Sequence, residues 1–124
     1  MYRTLYEKAA DVLQNAYAPY SKFKVGAAVL TASGKTYTGV NVENASFSAG
    51  LCAERAAISA AVADGEREFD AIAVASSGGK AWPCGSCRQF MYEFSPDMKV
   101  ITGDDEEHLE VFELSELLPK GFVL

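Results

Sequence analysis

The sequence predicts an α/β fold, a single-domain three-layer α/β/α sandwich in which helices cover both faces of a mixed five-stranded sheet. Two observations predict it. The chain has 124 residues, a length that fits one hydrophobic core. Its helical and strand patterns follow the order helix, two strands, helix, strand, helix and two strands, and such a mixture typically forms a sheet with helices packed on it. Because no repeat or linker interrupts this order, we expect residues 1–124 to form one domain.

The first half of the chain predicts a helix followed by a hairpin. Apolar residues recur at helical spacing over residues 5–17, and Pro19 ends the pattern because proline lacks an amide proton. The apolar run at residues 23–30 is typical of a buried strand. Ser33-Gly34 indicates a turn, after which residues 36–42 alternate as a second strand.

The second half predicts three further helices, the last of them short, and three strands. Residues 52–63 are rich in alanine and free of glycine and proline, so we expect a helix, with Gly65 as a left-handed cap after it. The next predicted elements are a strand at residues 69–75 and a helix at residues 87–94. Two more strands follow at residues 98–102 and 109–114, and a short last helix is predicted from residue 115 onward, with Ser115 as its cap.

Composition excludes several classes of function. The net charge is −6, and acidic residues gather near residues 104–110, so the surface repels phosphate backbones and a long nucleic acid is a poor partner. No apolar run approaches the roughly 20 residues that span a bilayer. Charges at residues 3–8 occupy the place where a signal peptide needs its apolar segment, so we expect a cytoplasmic protein without membrane partners.

The three cysteines point to a metal site. Their odd number excludes a fully paired disulfide framework, and a cytoplasmic location would keep the thiols reduced. Cys52 begins one predicted helix, while Cys84 and Cys87 form a Cys-x-x-Cys pair at the start of another, where the helix dipole favours thiolates. Zinc takes four ligands in tetrahedral geometry, so three cysteines would leave one position for water, as catalytic zinc sites do.

Two other residues decide how this cluster is interpreted. Glu54 follows Cys52 by two positions, and in the first helical turn its carboxylate can lean toward the metal and carry protons. His108 could close the site as a fourth ligand, but it lies in the acidic stretch without ligand-like spacing, so we expect a surface or packing role. A Cys-x-x-Cys pair alone also occurs in redox proteins and structural zinc modules. The combination of Cys-Ala-Glu with Pro-Cys-x-x-Cys about thirty residues later matches the signature of zinc nucleobase deaminases.

The chain resembles the small, three-cysteine, zinc-dependent cytidine deaminases along nearly its whole length. The motifs that carry the resemblance are Ala16-Tyr17-Ala18-Pro19-Tyr20-Ser21-Lys22-Phe23, Val25-Gly26-Ala27-Ala28, Asn41-Val42-Glu43-Asn44-Ala45-Ser46, Cys52-Ala53-Glu54-Arg55, Pro83-Cys84-Gly85-Ser86-Cys87-Arg88-Gln89 and Glu116-Leu117-Leu118-Pro119. The resemblance implies hydrolytic deamination of free cytidine and deoxycytidine to uridine and deoxyuridine, with one Zn²⁺ per subunit, in a homotetramer whose sites are shared between subunits.

The resemblance also implies a role for each site residue. Zinc would be held by Cys52, Cys84 and Cys87, and Glu54 would shuttle protons. Arg55 would donate hydrogen bonds to the thiolates and withdraw charge from them. In the substrate site, the Ala53 N–H would donate to the pyrimidine carbonyl and Phe23 would lie against the pyrimidine ring. Asn41 and Glu43 would hydrogen-bond the ribose, and Phe122 would come from a neighbouring subunit.

Pattern alone leaves alternatives open. Without the resemblance, Phe23 would be a core residue of its strand, Asn41 and Glu43 ordinary polar positions, and Phe122 packing at the chain end. The C-terminal residues also resemble blasticidin-S deaminase, so that antibiotic or another modified cytosine nucleoside is an alternative substrate. A non-catalytic structural zinc module is a third possibility. Trp82 departs from the family pattern, which has a small residue there, and its indole could narrow the pocket.

Overall fold

The computed structural model describes all residues, 1–124, and contains one five-stranded sheet in the order β2-β1-β3-β4-β5. All neighbouring strands are antiparallel except β3 and β4, which are parallel, so the predicted mixed five-stranded sheet is confirmed. The elements are α1 (Tyr2–Val12), β1 (Val25–Thr31), β2 (Thr36–Val40), α2 (Ala53–Ala63), β3 (Phe69–Ser76), α3 (Gly85–Tyr92), β4 (Lys99–Gly103), β5 (Leu109–Glu113) and α4 (Leu114–Leu117), with 3₁₀ turns at Leu13–Asn15 and Phe47–Ala49.

Alternating side chains of the strands build two cores, one on each face of the sheet. Ala27 and Val29 of β1 belong to the cluster that holds α2 and α3 against one face. Ala28, between them, belongs to the cluster that holds α1 against the other face, together with Ala71 and Ala73 of β3. The predicted α/β/α sandwich is therefore confirmed, with α1 as one outer layer. No helix combines the length and the apolar composition that crossing a membrane requires.

Several element boundaries differ from the sequence predictions. β1 begins at Val25 rather than at residue 23, β2 ends at Val40 rather than at residue 42, and α3 spans Gly85–Tyr92 rather than residues 87–94. Specific contacts explain two further differences. The first helix ends at Val12 rather than at residue 17, because the backbone of Tyr17 pairs with the segment after β2: its N–H donates to the Asn41 carbonyl, and its carbonyl accepts from the Glu43 N–H. The prediction that Ser115 caps the last helix is wrong. Glu113 is the N-cap of α4, and its own N–H donates to the carboxylate of Glu116, three residues on, in a capping box.

Helix α2 approaches β2 closely, and a glycine makes this approach possible. A Cβ atom on Gly39 would lie 2.6 Å from the Ala53 carbonyl oxygen and would also collide with the Ala57 amide nitrogen, both in the backbone of α2. Backbone cannot rotate away as a side chain can. The absence of a side chain at Gly39 thus sets the distance between the sheet and the helix that carries Glu54.

Replacing Gly39 with alanine is expected to push α2 outward and to lower the free energy of unfolding by about 1–3 kcal/mol, the usual cost of overpacking. Denaturant titration of the zinc-depleted protein measures this loss. Gly85→Ala is the matched control, because a Cβ atom there would meet nothing within 4 Å. Equal stability of the two variants would contradict the proposed tight contact.

Candidate active site

The starts of α2 and α3 bring the three cysteines together. Cys52 is the N-cap of α2, Cys84 is the N-cap of α3, and Cys87 lies in the first turn of α3. Neither N-cap sulfur makes a capping hydrogen bond with the backbone of its own helix. The three Sγ atoms lie within 4.8 Å of one another.

This donor set fits one zinc ion. Thiolate sulfurs about 2.3 Å from a tetrahedral zinc lie about 3.8 Å apart, so small side-chain movements would close the cluster on the metal. A hydrogen bond from the Cys87 thiol, together with the Arg55 guanidinium, lowers the pKa of Cys52 to about 5. The shared proton and burial raise the pKa of Cys87 in turn. A divalent cation would displace that proton, since zinc binds thiolates.

Arg55 lies beside the cluster. Its Nη2 donates to the Cys52 Sγ at 3.6 Å, and its Nε is buried without a hydrogen-bond partner. The same hydrogen bond to Cys52 raises the pKa of Arg55. A guanidinium in this position offsets part of the negative charge that three thiolates would place around a zinc ion.

Glu54 is buried, with 5% of its surface exposed, yet it lines the cleft that also contains Cys52 and Cys84. Burial raises the pKa of the Glu54 carboxyl to about 7. Cys52 and Glu54 can share this cleft because Cys52 has extended backbone angles, φ −80° and ψ 152°, and is therefore not in the helical spacing that would separate them. The result is a proton-carrying group beside the candidate metal ligands.

The cleft has a volume of about 620 Å³ and gathers most of the predicted site residues. Phe23 lines it and is 42% exposed, so the alternative that Phe23 is a core residue is wrong. Its ring lies against Gly78, where an added Cβ atom would come within 2.7 Å of the ring. The predicted site residues that line the cleft are Phe23, Asn41, Glu43, Cys52, Ala53, Glu54, Arg55 and Cys84.

Asn41 and Glu43 have structural contacts that the sequence does not reveal. The Asn41 Oδ1 accepts from the Val25 N–H at 2.9 Å, and its Nδ2 donates to the Phe23 carbonyl at 2.9 Å. The Glu43 carboxylate accepts from the N–H groups of Tyr20 and Ser21 at 3.0 and 3.1 Å, and from the Ser21 hydroxyl. These bonds, the Ser21 hydroxyl first, lower the pKa of Glu43 and keep it ionised. Both residues therefore anchor the loop that carries Phe23.

Three residues considered in the sequence analysis do not line the cleft: Cys87, Phe122 and His108. Cys87 is fully buried, although its sulfur belongs to the three-cysteine cluster. Phe122 is 66% exposed and is absent from the cleft lining of its own chain, and its carbonyl accepts from the Gln89 Nε2 at 2.8 Å. His108 has an exposed side chain 2.8 Å from Asp105 and does not belong to the cysteine cluster, as expected. Sequence reasoning missed other cleft residues. Val42 was expected only as the end of a strand, and Phe47 and Leu51 lie in a segment without strand or helix pattern, where their apolar character was the available signal.

Comparisons with known proteins agree with this geometry. Residues 1–103 match the family model described as the cytidine and deoxycytidylate deaminase zinc-binding region. The chain is 43% identical to a cytidine deaminase of Halalkalibacterium halodurans, over 95% of this chain and 91% of the relative, and 44% identical to a probable cytidine deaminase of Dictyostelium discoideum, over 94% and 82%. The crystal structure of a cytidine deaminase from Burkholderia pseudomallei superposes with a TM-score of 0.92 at 44% identity, covering 98% of this chain and 99% of that one. The chain belongs to the cytidine and deoxycytidylate deaminase zinc-binding family.

Proposed function

We propose that this protein hydrolyses cytidine and deoxycytidine to uridine and deoxyuridine. In this reaction the bond between C4 of the pyrimidine and its amine breaks, the oxygen of one water molecule ends on C4, and ammonia leaves. The observation that carries the proposal is the buried Glu54 beside a cluster of three cysteines without a fourth side-chain ligand. A structural zinc module needs four protein ligands and no adjacent proton carrier.

Cys52, Cys84 and Cys87 are the residues that would hold zinc. A zinc ion in this site supplies a Lewis acid that makes water a nucleophile at neutral pH. Glu54 would carry the protons. Its carboxylate would take one from the attacking water and deliver it to N3 of the ring. It would then take a second proton from the hydroxyl formed on C4, which becomes the carbonyl of the product, and give it to the departing amine. A carboxyl with a pKa of about 7 suits both steps, because it accepts and releases protons near neutrality.

The rest of the cleft supports binding of a nucleoside. The N–H of Ala53 has no partner within its helix, because Ala53 is the first residue of α2, so it can donate to the pyrimidine carbonyl. Phe23 offers an exposed ring to the base. Asn41 and Glu43 would bind the ribose with the acceptor and donor positions that the loop leaves free.

We further propose a homotetramer in which Phe122 completes the cleft of a neighbouring subunit. Its exposure, and its position outside the cleft of its own chain, support this assignment. Light scattering measures the mass, and a monomeric mass would contradict the assembly.

We also propose that the protein works in a reducing compartment such as the cytoplasm, since a disulfide between Cys84 and Cys87 would remove two ligands from the zinc site. Cell fractionation tests that location.

The substrate is tested by following the ultraviolet absorbance of cytidine, deoxycytidine, cytosine and blasticidin S with the zinc-loaded protein. Conversion of both nucleosides, with uridine and deoxyuridine identified as products, supports the proposal. Turnover of the antibiotic alone would reassign the enzyme to that substrate. A zinc-loaded protein that is silent on all four compounds would favour the structural module.

Glu43→Gln is expected to lower kcat/KM for cytidine by about 10- to 100-fold, because a charge-assisted hydrogen bond to the ribose is lost. The 2′,3′-dideoxy analogue of cytidine lacks both secondary hydroxyl groups and is the control substrate. The wild-type protein should prefer cytidine over the analogue, and the variant should lose most of that preference. If the variant lowers kcat/KM equally for both substrates, Glu43 only anchors the loop.

A further inference from the structure

Trp82 is the only tryptophan of the chain, and it is one of the residues that line the same cleft as Glu54 and Cys84. Trp82 is 39% exposed, so a ligand in the cleft can reach it. It lies two residues before Cys84, at the end of the cleft where the cysteines and Glu54 gather.

The backbone on both sides of Trp82 is held in place. The Ala81 carbonyl accepts from the fully buried Thr102 hydroxyl at 2.8 Å, and the Ala81 N–H lies 3.2 Å from the same oxygen. The Lys80 N–H donates to the Asp104 Oδ1 at 3.2 Å, and Pro83 on the other side is buried. These contacts to β4 and the residue after it prevent the segment from moving back to admit a larger ligand.

The indole itself is also supported from behind. Its ring packs edge-on against Phe112 of β5, with centroids 5.3 Å apart and planes at 71°. Phe112 does not line the cleft, so it acts as a backing residue rather than as part of the binding surface. The backbone hydrogen bonds therefore oppose movement of the segment, and the contact with Phe112 opposes rotation of the indole toward β5.

We propose that Trp82 is a specificity-determining residue that restricts this deaminase to pyrimidines whose leaving amine carries no substituent. The inference rests on the proposed function. The reacting carbon must lie near the cysteines and Glu54, so the amine bonded to it lies at the same end of the cleft as Trp82. A group added to that amine would therefore collide with Trp82, whose position the contacts of Ala81, Lys80 and Phe112 hold.

N4-methylcytidine probes this wall with a single methyl group. Its hydrolysis balances like that of cytidine: water supplies the oxygen that ends on C4, the bond from C4 to nitrogen breaks, and methylamine leaves in place of ammonia. We expect Trp82→Ala to raise the ratio of kcat/KM for N4-methylcytidine to kcat/KM for cytidine at least about tenfold, the usual effect of one methyl group in an apolar pocket. Trp82→Phe, which keeps a large ring, should leave that ratio within about threefold of the wild-type value.

Phe112→Leu tests the support behind the indole without altering the cleft lining. It should shift the ratio in the same direction as Trp82→Ala and by a smaller factor. An unchanged ratio in Trp82→Ala, or an equal rise in Trp82→Phe, overturns the inference. Turnover of cytidine by the wild-type enzyme in the same assay keeps the two claims separate: without it the proposed function fails, and with it only the role of Trp82 is at stake.

A second measurement uses the unmodified protein. Because Trp82 is the only tryptophan, its fluorescence excited at a wavelength of about 295 nm reports on this wall alone. Uridine, the reaction product, should change the emission of the zinc-loaded wild-type protein along the same saturation curve that calorimetry gives for binding. Binding by calorimetry without any change in emission would show that the base does not reach Trp82 and would overturn the inference.

Discussion

Replacing Glu54 with glutamine is expected to lower kcat on cytidine by roughly 100- to 10,000-fold, the usual contribution of a positioned proton carrier. Glutamine fills the same volume but cannot take a proton from water or return one to the amine. The three-cysteine cluster does not include Glu54, so zinc content should stay at one ion per chain. Burial raises the pKa of this carboxyl, and a neutral amide in the same place should therefore not reduce the free energy of unfolding.

Steady-state kinetics, metal analysis and denaturant titration of the same preparation test these three expectations together. Glu68→Gln is the matched control, because Glu68 is exposed and lies outside the cleft. It should retain kcat within a factor of about two. If Glu54→Gln loses zinc, its inactivity says nothing about proton transfer. In that case the turnover of Glu54→Ala, tested in parallel with its zinc content, decides whether Glu54 carries protons. Full turnover in either variant would remove Glu54 from the mechanism.

Much of the fold follows from local patterns. Helical spacing of apolar residues predicted the first helix, and alternation predicted the second strand, because burial on one face imposes a period of about 3.6 or of two. Continuous apolar runs predicted the buried strands at residues 23–30 and 69–75, and alanine-rich composition predicted the second helix. The cap at Gly65, with φ 98°, and the turn at Gly34, with φ 93°, confirmed the left-handed positions that glycine favours. These features depend on neighbours in the sequence, and a single sequence contains that information.

The boundaries of the first and last helices were misplaced for different reasons. The first helix stops early because Tyr17 pairs with the segment after β2, more than twenty positions away. No periodicity within residues 5–17 records that partner. The start of α4 was misplaced because serine is the commoner N-cap, whereas the reciprocal bonds of Glu113 and Glu116 place the N-cap at Glu113, two residues before Ser115.

The candidate site was predictable in its residue types but not in its contacts. The three cysteines and Glu54 are recognisable in the sequence because their residue types and spacing are typical of a metal site with a proton carrier. The structural role of Asn41 and Glu43 is not recognisable in the sequence, since their bonds to the Phe23 loop connect segments about twenty residues apart. A substitution at either position therefore changes the loop that carries Phe23 as well as the proposed contact with the ribose, and only matched substrates separate the two effects.

Cys84→Ala is expected to abolish stoichiometric zinc binding and, with it, the stabilisation that zinc gives the fold. The cysteines join the start of α2 to the start of α3, so a metal bound between them stabilises the folded state alone. At a free zinc concentration 1,000 times the dissociation constant, this linkage amounts to about 4 kcal/mol. Cys84 is the clean position for the test because it is exposed, whereas Cys87 is fully buried and its truncation would also leave a cavity.

Thermal unfolding with and without added zinc, beside metal analysis, measures the effect. The wild-type melting temperature should rise with zinc and fall with a chelator, while that of Cys84→Ala should respond to neither. Ser86→Ala is the matched control, because Ser86 is exposed between the two cysteines of α3 and lies outside the three-cysteine group. It should keep the zinc response of the wild type. A Cys84→Ala protein that still holds one zinc per chain would mean that the ligand set is wrong, since two thiolates alone do not complete such a site.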